Sequence, residues 1–428
     1  MTVLLPSGWW LVVAACCIGT LYAFFAALTM PRFGSASVVR EAARRARASG
    51  HAPVSVLKPL CGAEPRLYEN LASFCEQSHP GFQLLFGVSS AKDPAIAVVR
   101  QLQVAYPHCD IELVIDASVH GSNLKVSNLI NMAARARHDL IVLADSDIAV
   151  ERDYLRIVTA PLADPAVGVV TCLYRARSIG GFWPRVGALF INEWFAPSVR
   201  VAHTTGSREF GFGATLALSR ATLERIGGFA ALKDCLADDY LLARYARDHG
   251  LATVLAPVVV ETDVIEPTFA TLWLRETRWL RTIRSVSPAG FASLPITFTS
   301  PWIALGALLL RLAEPHGAAS AAFFSVPASA LALLGASTVG GIIARVALHA
   351  RSSADWREFA RDLPLVPLRD TLLALQWLSA AFGSHVVWRG VRVPVANAEH
   401  DAPVRPRGIA RSPTRRPTVE AVEVSDGR

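Results

Sequence analysis

The run from Trp9 to Met30 contains no charged residue, and at about 22 residues it is long enough to cross a bilayer as a helix. This segment constrains the chain most, because whatever follows has to fold beside a membrane. Trp9, Trp10 and Tyr22 suit interfacial or packed positions within it. A cleaved signal peptide is the rival reading. It is disfavoured because the preceding residues carry no Lys or Arg and the apolar run is long. Arg32, Arg40, Arg44, Arg45 and Arg47 come next, so the positive-inside rule predicts an outside N-terminus and a cytosolic segment after Met30. Composition agrees: only 18% of residues are charged, 52% are hydrophobic and the mean hydropathy is +0.35. A soluble domain carries about a quarter charged residues, so the excess apolar content belongs in the membrane.

The net charge of +7 comes from arginines near the apolar stretches and in the tail, which suits anionic lipid head groups. No zinc-finger spacing or RNA-binding signature accompanies it, so no nucleic-acid partner is expected. The seven cysteines are odd in number and irregularly spaced, and no Cys-x-x-Cys occurs. They read as reduced thiols of a cytosol-facing domain.

Six regions follow from the pattern. Residues 1–31 form the N-terminal transmembrane helix and 32–52 a basic linker. Residues 53–266 alternate short apolar runs with amphipathic ones, as an α/β domain does. Strands are expected at Val54–Leu57, Gln83–Val88, Ile111–Ile115 and Leu140–Ala144, and helices at Pro65–Gln77, Pro94–Ala105 and Lys125–Ala136. In region 267–300, Arg275, Arg278, Arg281 and Arg284 recur every third residue among Leu272, Leu274, Trp279 and Ile283, which predicts an amphipathic helix at a membrane surface. Residues 301–390 hold three further apolar runs: Pro301–Leu310, Ala318–Ile343 and Thr371–Trp388. A cytosolic basic segment Arg345–Arg369 makes the first two a hairpin; the third is a span, or an interfacial or re-entrant segment. Residues 391–428 are a basic tail expected to be disordered.

Four features carry chemistry. Asp145-Ser146-Asp147 follows a buried strand, where ligands bind in open α/β sheets. Two carboxylates there suit a hard divalent cation completed by substrate phosphates, although the same residues also make a solvated turn or helix cap. Asp238-Asp239 opens a helix; adjacent acids suit the helix dipole, and Asp239 also suits a general base. In Arg275-Glu276-Thr277-Arg278-Trp279, Arg278 suits a diphosphate and Trp279 an acceptor cleft, beside the plainer reading of an interfacial helix. Lys58-Pro59 after the first strand, with Glu64, suits the framing of a nucleobase and ribose, or only a turn. Asp93 by itself is a helix cap before Pro94. Lys125 and Asn128 share one helical face and suit phosphate or nucleoside contacts. No G-x-G-x-x-G, Walker sequence, G-x-S-x-G elbow or zinc-ligand spacing occurs.

Taken in order, Asp93, Asp145, Asp239 and Arg275-x-x-Arg278-Trp279 resemble the Asp, Asp, Asp, (Gln/Arg)-x-x-Arg-Trp pattern of inverting membrane glycosyltransferases. Val56-Leu57-Lys58-Pro59-Leu60, Asp93-Pro94-Ala95-Ile96 and Asn123–Leu129 resemble segments of the ceramide glucosyltransferases. Leu71–Cys75, Lys125–Met132, Thr171–Arg175 and Pro367-Leu368-Arg369-Asp370 resemble the bacterial branch linked to hopanoid biosynthesis. The resemblance implies a GT-A-type, Rossmann-like cytosolic domain with an N-terminal transmembrane helix and C-terminal transmembrane or interfacial helices, in a bacterial inner membrane. It further implies a UDP-sugar donor and a lipid acceptor, a hopanoid or a sphingolipid. Carried over, Lys58, Glu64, Asp93, Lys125, Asn128 and Asp145 belong to the nucleotide-sugar site, and Asp239 is the base. Asp145 and Asp147 hold Mg²⁺ or Mn²⁺, and Arg275, Arg278 and Trp279 close over donor and acceptor. Gly stands at the Asp147 position in some members, which makes Asp145 the firmer ligand. The animal ceramide enzymes carry a His-Pro near Phe195-Ala196-Pro197; this chain lacks that His, which favours another lipid.

The expected reaction is transfer of N-acetylglucosamine from a UDP-sugar to bacteriohopanetetrol. Glucosylation of ceramide and sugar transfer to polyprenyl phosphate are alternatives, and a processive synthase lacks spans for an export channel. A membrane transporter or receptor is the non-enzymatic alternative, and it predicts no dependence on Asp239.

Overall fold

A computed structural model describes residues 6–30, 33–48, 52–313, 327–388 and 391–394. An eight-stranded sheet forms the centre, from β1 (Val54–Pro59), β2 (Phe82–Val88), β3 (Asp110–Ile115), β4 (Leu140–Leu143), β5 (Ile148–Ala149), β6 (Val167–Ser178), β7 (Leu216–Ser219) and β8 (Ala252–Val264). Its spatial order is β3-β2-β1-β4-β7-β6-β8-β5. The first four strands are mutually parallel; β7 runs antiparallel to β4 and β6, β6 pairs parallel with β8, and β5 pairs antiparallel with β8.

Period-two alternation explains why the sheet is covered on both faces. Val54, Val56, Leu84, Phe86 and Val142 point to one core, shared with Leu71 and Phe74 of the Leu67–Cys75 helix and Val99 of the Ala95–Ala105 helix. Leu57, Leu85, Ile141 and Leu143 point to the other, shared with Val126, Leu129 and Met132 of the Leu124–Ala133 helix and Leu241 and Leu242 of the Asp238–Asp248 helix. The strand order reverses between β1 and β4, and such reversals open a crevice at the carboxyl ends of the strands.

Among the described residues, two helices are long and apolar enough to cross a membrane, Trp9–Thr29 and Ala328–Ser352. A third candidate is the pair Pro288–Thr297 and Thr299–Ala313, which meet at a 51° bend. Val13 and Cys16 pack near Ala330 and Leu334, Thr20 donates to the Ser337 carbonyl, and Ala26 and Ala27 meet Leu348. Contacts rising together in both helices mean that the two run parallel. Gly306 meets Thr338 while Ile303 meets Gly341, so Thr299–Ala313 runs antiparallel to Ala328–Ser352. Glycines at these crossings let the backbones approach, as packing within lipid favours. Trp9 and Tyr22 are packed, Tyr22 by a hydrogen bond to Ser198 (2.8 Å), whereas Trp10 is exposed.

Two expectations are corrected. The run Thr371–Trp388 is not one segment: the helix Val366–Phe382 ends at Gly383, and His385–Trp388 (β9) pairs antiparallel with Val391–Pro394 (β10). At 17 residues this helix spans about 25 Å, short of a bilayer core. The start of the expected disordered tail is therefore β10, while 395–428 lies outside the described residues. The arginines that bound the segment Arg345–Arg369 are buried among carboxylates. Residues 314–326, which join the expected hairpin, lie outside the described residues, as do 1–5, 31–32 and 49–51 of the first helix and linker.

Candidate active site

A cavity of about 590 Å³ opens at the carboxyl ends of β1 and β4. Its walls include Glu64, Asp145, Asp147, Asp239, Arg278 and Trp279, with Lys125, Asn128, Asp238 and Arg275 also facing it. Of the sequence-predicted site residues, Lys58 and Asp93 alone do not line it.

Lys58 sits beneath the floor. It is fully buried; its Nζ donates to the Asp145 carbonyl (2.8 Å) and lies 3.7 Å from the centre of the Phe74 ring. Burial pulls its pKa down to about 7, against the pull of Asp147 and Asp145. The side chain points inward from β1 and braces the Asp-Ser-Asp turn, which corrects its expected place against a nucleobase. Asp93 accepts from Ala95 N (2.9 Å) and from Gly62 N (3.0 Å), so it starts one helix and ties down the loop that carries Cys61 and Glu64 to the rim. Glu64 accepts from Ser146 Oγ (3.1 Å). Asn128 donates to the Gly87 carbonyl (2.8 Å).

Lys125 joins the two acidic pairs. Its Nζ lies 2.7 Å from Asp145 Oδ1 and 3.6 Å from Asp238 Oδ2. Burial opposes its charge, but Asp145, Asp238 and Asp239 together hold the ammonium above its ordinary range. Asn123 caps the Leu124–Ala133 helix through Val126 N and donates to Asp238 (3.2 Å), so the helix that presents Lys125 is locked to the one that presents Asp239. Asp239 accepts from Gly213 N (2.9 Å) and Tyr240 N (2.8 Å). Burial first, then Asp238, push its carboxyl up to about 6.

Asp147 accepts from Thr262 Oγ1 (2.6 Å), and burial followed by the Asp145 charge raises its carboxyl to about 7. The side chains of Asp145, Asp147 and Glu64 offer oxygen alone, which fits a hard divalent cation. Among the described residues no three acidic, His or Cys side chains are gathered into a complete protein-built cage. The arrangement fits one or two carboxylates with phosphate oxygens filling the remaining positions.

The helix Phe269–Val286 closes the far wall. Thr268 caps it in a reciprocal pair with Thr271. Arg275 pairs with Glu266, lies 3.6 Å from Glu276 Oε1, and has its guanidinium 4.9 Å from the centre of the Trp279 ring. Burial, then Arg275, lower the pKa of Arg278. The lining also includes Tyr174, stacked on Phe195 with ring centres 4.8 Å apart.

Sequence reasoning missed Gly213, Tyr174 and Glu266. Gly213 had a signal in Gly211-Phe212-Gly213, a glycine pair just before a short apolar run. A Cβ there would stand 2.7 Å from Asp145 Oδ2 and 3.3 Å from Lys125 Nζ. Nothing local marks Tyr174 within β6.

The family model described as "Glycosyl transferase family 21" matches residues 11–400. Among curated proteins, ceramide glucosyltransferase 1 of Caenorhabditis elegans is 27% identical over 229 residues, covering 53% of this chain and 49% of that protein. Ceramide glucosyltransferase of Komagataella phaffii is 32% identical over 99 residues, covering 22% and 19%. The chain thus spans at most about half the length of these relatives. Among solved structures, a mannosyltransferase from Pyrobaculum calidifontis in complex with GDP-Man and Mn²⁺ aligns with 86% of this chain and 97% of that one, at 18% identity and a TM-score of 0.45.

Proposed function

The chain belongs to glycosyl transferase family 21, and from that premise we propose that it is a membrane-bound, inverting hexosyltransferase acting from a UDP-sugar on a lipid hydroxyl. The observation that carries this is the cavity itself. Carboxylates at strand ends face two arginines and a tryptophan on a helix that packs against Val366–Phe382, which in turn packs against the candidate membrane helix Thr299–Ala313. A lipid acceptor that stays in its bilayer can be met only by a site so placed.

In this reading Asp239 takes the proton of the acceptor hydroxyl, whose oxygen attacks the anomeric carbon. A glycosidic bond forms as the bond from that carbon to the phosphate oxygen breaks, and UDP leaves with the electron pair on the face opposite attack. Asp239 suits the role: its raised carboxyl is a better base than an ordinary aspartate yet still ionised at neutral pH. Asp145 and Asp147 would hold Mg²⁺ or Mn²⁺, which neutralises charge on the leaving diphosphate. Lys125 and Arg278 add positive charge along the same wall.

The acceptor is bacteriohopanetetrol and the sugar N-acetylglucosamine, with the catalytic domain cytosolic in a bacterial inner membrane. This rests on the segments resembling the hopanoid branch and on the missing His before Pro197. Ceramide glucosylation is the second reading, supported by the names of the curated relatives. Full-length protein in nanodiscs, given labelled UDP-N-acetylglucosamine or UDP-glucose with either lipid, decides. Transfer of N-acetylglucosamine to bacteriohopanetetrol is expected. Transfer to ceramide with none to the hopanoid would overturn the acceptor.

A further inference from the structure

Glu276 is fully buried and stands between Arg275 and the Arg278–Trp279 pair on the helix that closes the cavity. Its Oε2 accepts from Arg369 Nη1 (2.7 Å) and Gln376 Nε2 (2.8 Å), both on the Val366–Phe382 helix. Its Oε1 has no hydrogen-bond partner and lies 3.6 Å from Arg275 Nη2, which itself has none. The next residue along, Asp370, turns the other way. It accepts from Nε and Nη2 of Arg345 (2.8 and 2.9 Å) in the membrane helix, whose Nη1 donates to Glu193 (2.7 Å). Adjacent residues of one short helix therefore fasten the cavity wall on one side and a candidate span on the other.

We propose that Glu276 is a positioning residue: held on one oxygen by Arg369 and Gln376, it uses the other to aim the Arg275 guanidinium at the diphosphate of the donor. Buried charges are costly unless paired, so a carboxylate kept with one oxygen unbonded needs a reason. Nε and Nη2 of Arg275 are both closed off from solvent, so Glu276 fixes the inner edge of the guanidinium by charge while the side chain lines the cavity. Glu266 steadies the opposite nitrogen, and the Trp279 ring supports the guanidinium face. The Arg369-Asp370 pair, which in the sequence marked only a family likeness, becomes the fastening that makes the cavity wall continuous with the membrane helices.

This inference rests on the proposed UDP-sugar donor but not on the identity of the acceptor. The test is a double-mutant cycle on the full chain in nanodiscs, reading UDP affinity with Mg²⁺ by calorimetry. E276Q is expected to weaken UDP about tenfold in the wild-type background and less than twofold when Arg275 is already Ala. Equal losses in both backgrounds, or wild-type affinity in E276Q, would overturn it. E276Q leaves Arg369 buried without its counter-charge, so E276Q/R369Q, which removes both charges, runs beside it with the same expectation. Hydrogen exchange needs no ligand: amides of 275–280 are expected to exchange at least tenfold faster in E276Q/R369Q, with those of β1 and β2 unchanged. Unchanged exchange at 275–280 would overturn the positioning role, whereas a wild-type chain that binds no UDP but passes the exchange test would count against the donor alone.

Discussion

At the scale of single residues, Asp239 carries opposed demands. Burial lifts its carboxyl to about 6, while Gly213 N–H and Tyr240 N–H keep it oriented. A folded-state pKa above the unfolded one means that the folded chain binds the proton more tightly. That contribution to stability is complete below about pH 4 and is lost as pH rises through about 6. D239N is therefore expected to raise the melting temperature at pH 7, by on the order of 1–2 kcal/mol of stability, with no gain at pH 4. The same variant should lower kcat by about 10²–10⁴-fold, and wild-type kcat/KM should fall as pH drops below about 6. Thermal scans at the two pH values and a pH–rate profile check these. Full transfer by D239N would remove Asp239 from the reaction.

At the scale of elements, the Gly211–Gly213 segment separates a folding constraint from a functional one. A Cβ on Gly211 would stand 2.5 Å from the Asp239 carbonyl oxygen and 2.8 Å from Ala243 Cβ, inside a packed helix start. G211A should destabilise the chain by about 1–3 kcal/mol. A Cβ on Gly213 meets the carboxylate of Asp145, which can swing aside, so G213A should fold with little change in melting temperature. It should lose roughly 10²-fold in kcat through misplacement of Asp145. Comparable melting losses in both variants would dissolve the distinction. These elements also mark what was legible in the sequence. The strands at 54–57, 83–88 and 111–115 stand within about two residues of where alternation put them, because buried runs between turn residues have few other solutions. The strand before Asp145 was legible for the same reason. Lys58 was misread because a lysine at a strand end normally reaches solvent, and only the fold shows two backbone carbonyls and the Phe74 ring waiting beneath it. The buried pairing of Arg345 was not legible, because a charge closing an apolar run looks like the end of a span. Its partners Glu193 and Asp370 lie 152 and 25 residues away, a pairing no local pattern encodes.

At the scale of the whole molecule, orientation decides whether the cavity can meet a cytosolic nucleotide sugar. Two parallel helices, Trp9–Thr29 and Ala328–Ser352, end near the same part of the sheet domain: Ala26, Ala27 and Leu348 gather around Val201, and Arg200 donates to the Thr29 carbonyl. With the arginines of the Ala36–Ala48 helix following the first of them, the positive-inside rule leads us to propose that both ends lie on the inner side of the membrane. Cys61 reports on this directly, because it is exposed and stands on the cavity rim beside Glu64. A membrane-impermeant maleimide should modify Cys61 in inverted vesicles and leave it untouched in right-side-out ones, with C61S identifying the labelled thiol. UDP with Mg²⁺ should slow that labelling several-fold, since a nucleotide filling the cavity covers the rim. Labelling from the outer face would reverse the orientation, and labelling indifferent to UDP would move the nucleotide away from the strand ends. The two outcomes separate, so one reagent tests both the topology of the chain and the place of its donor.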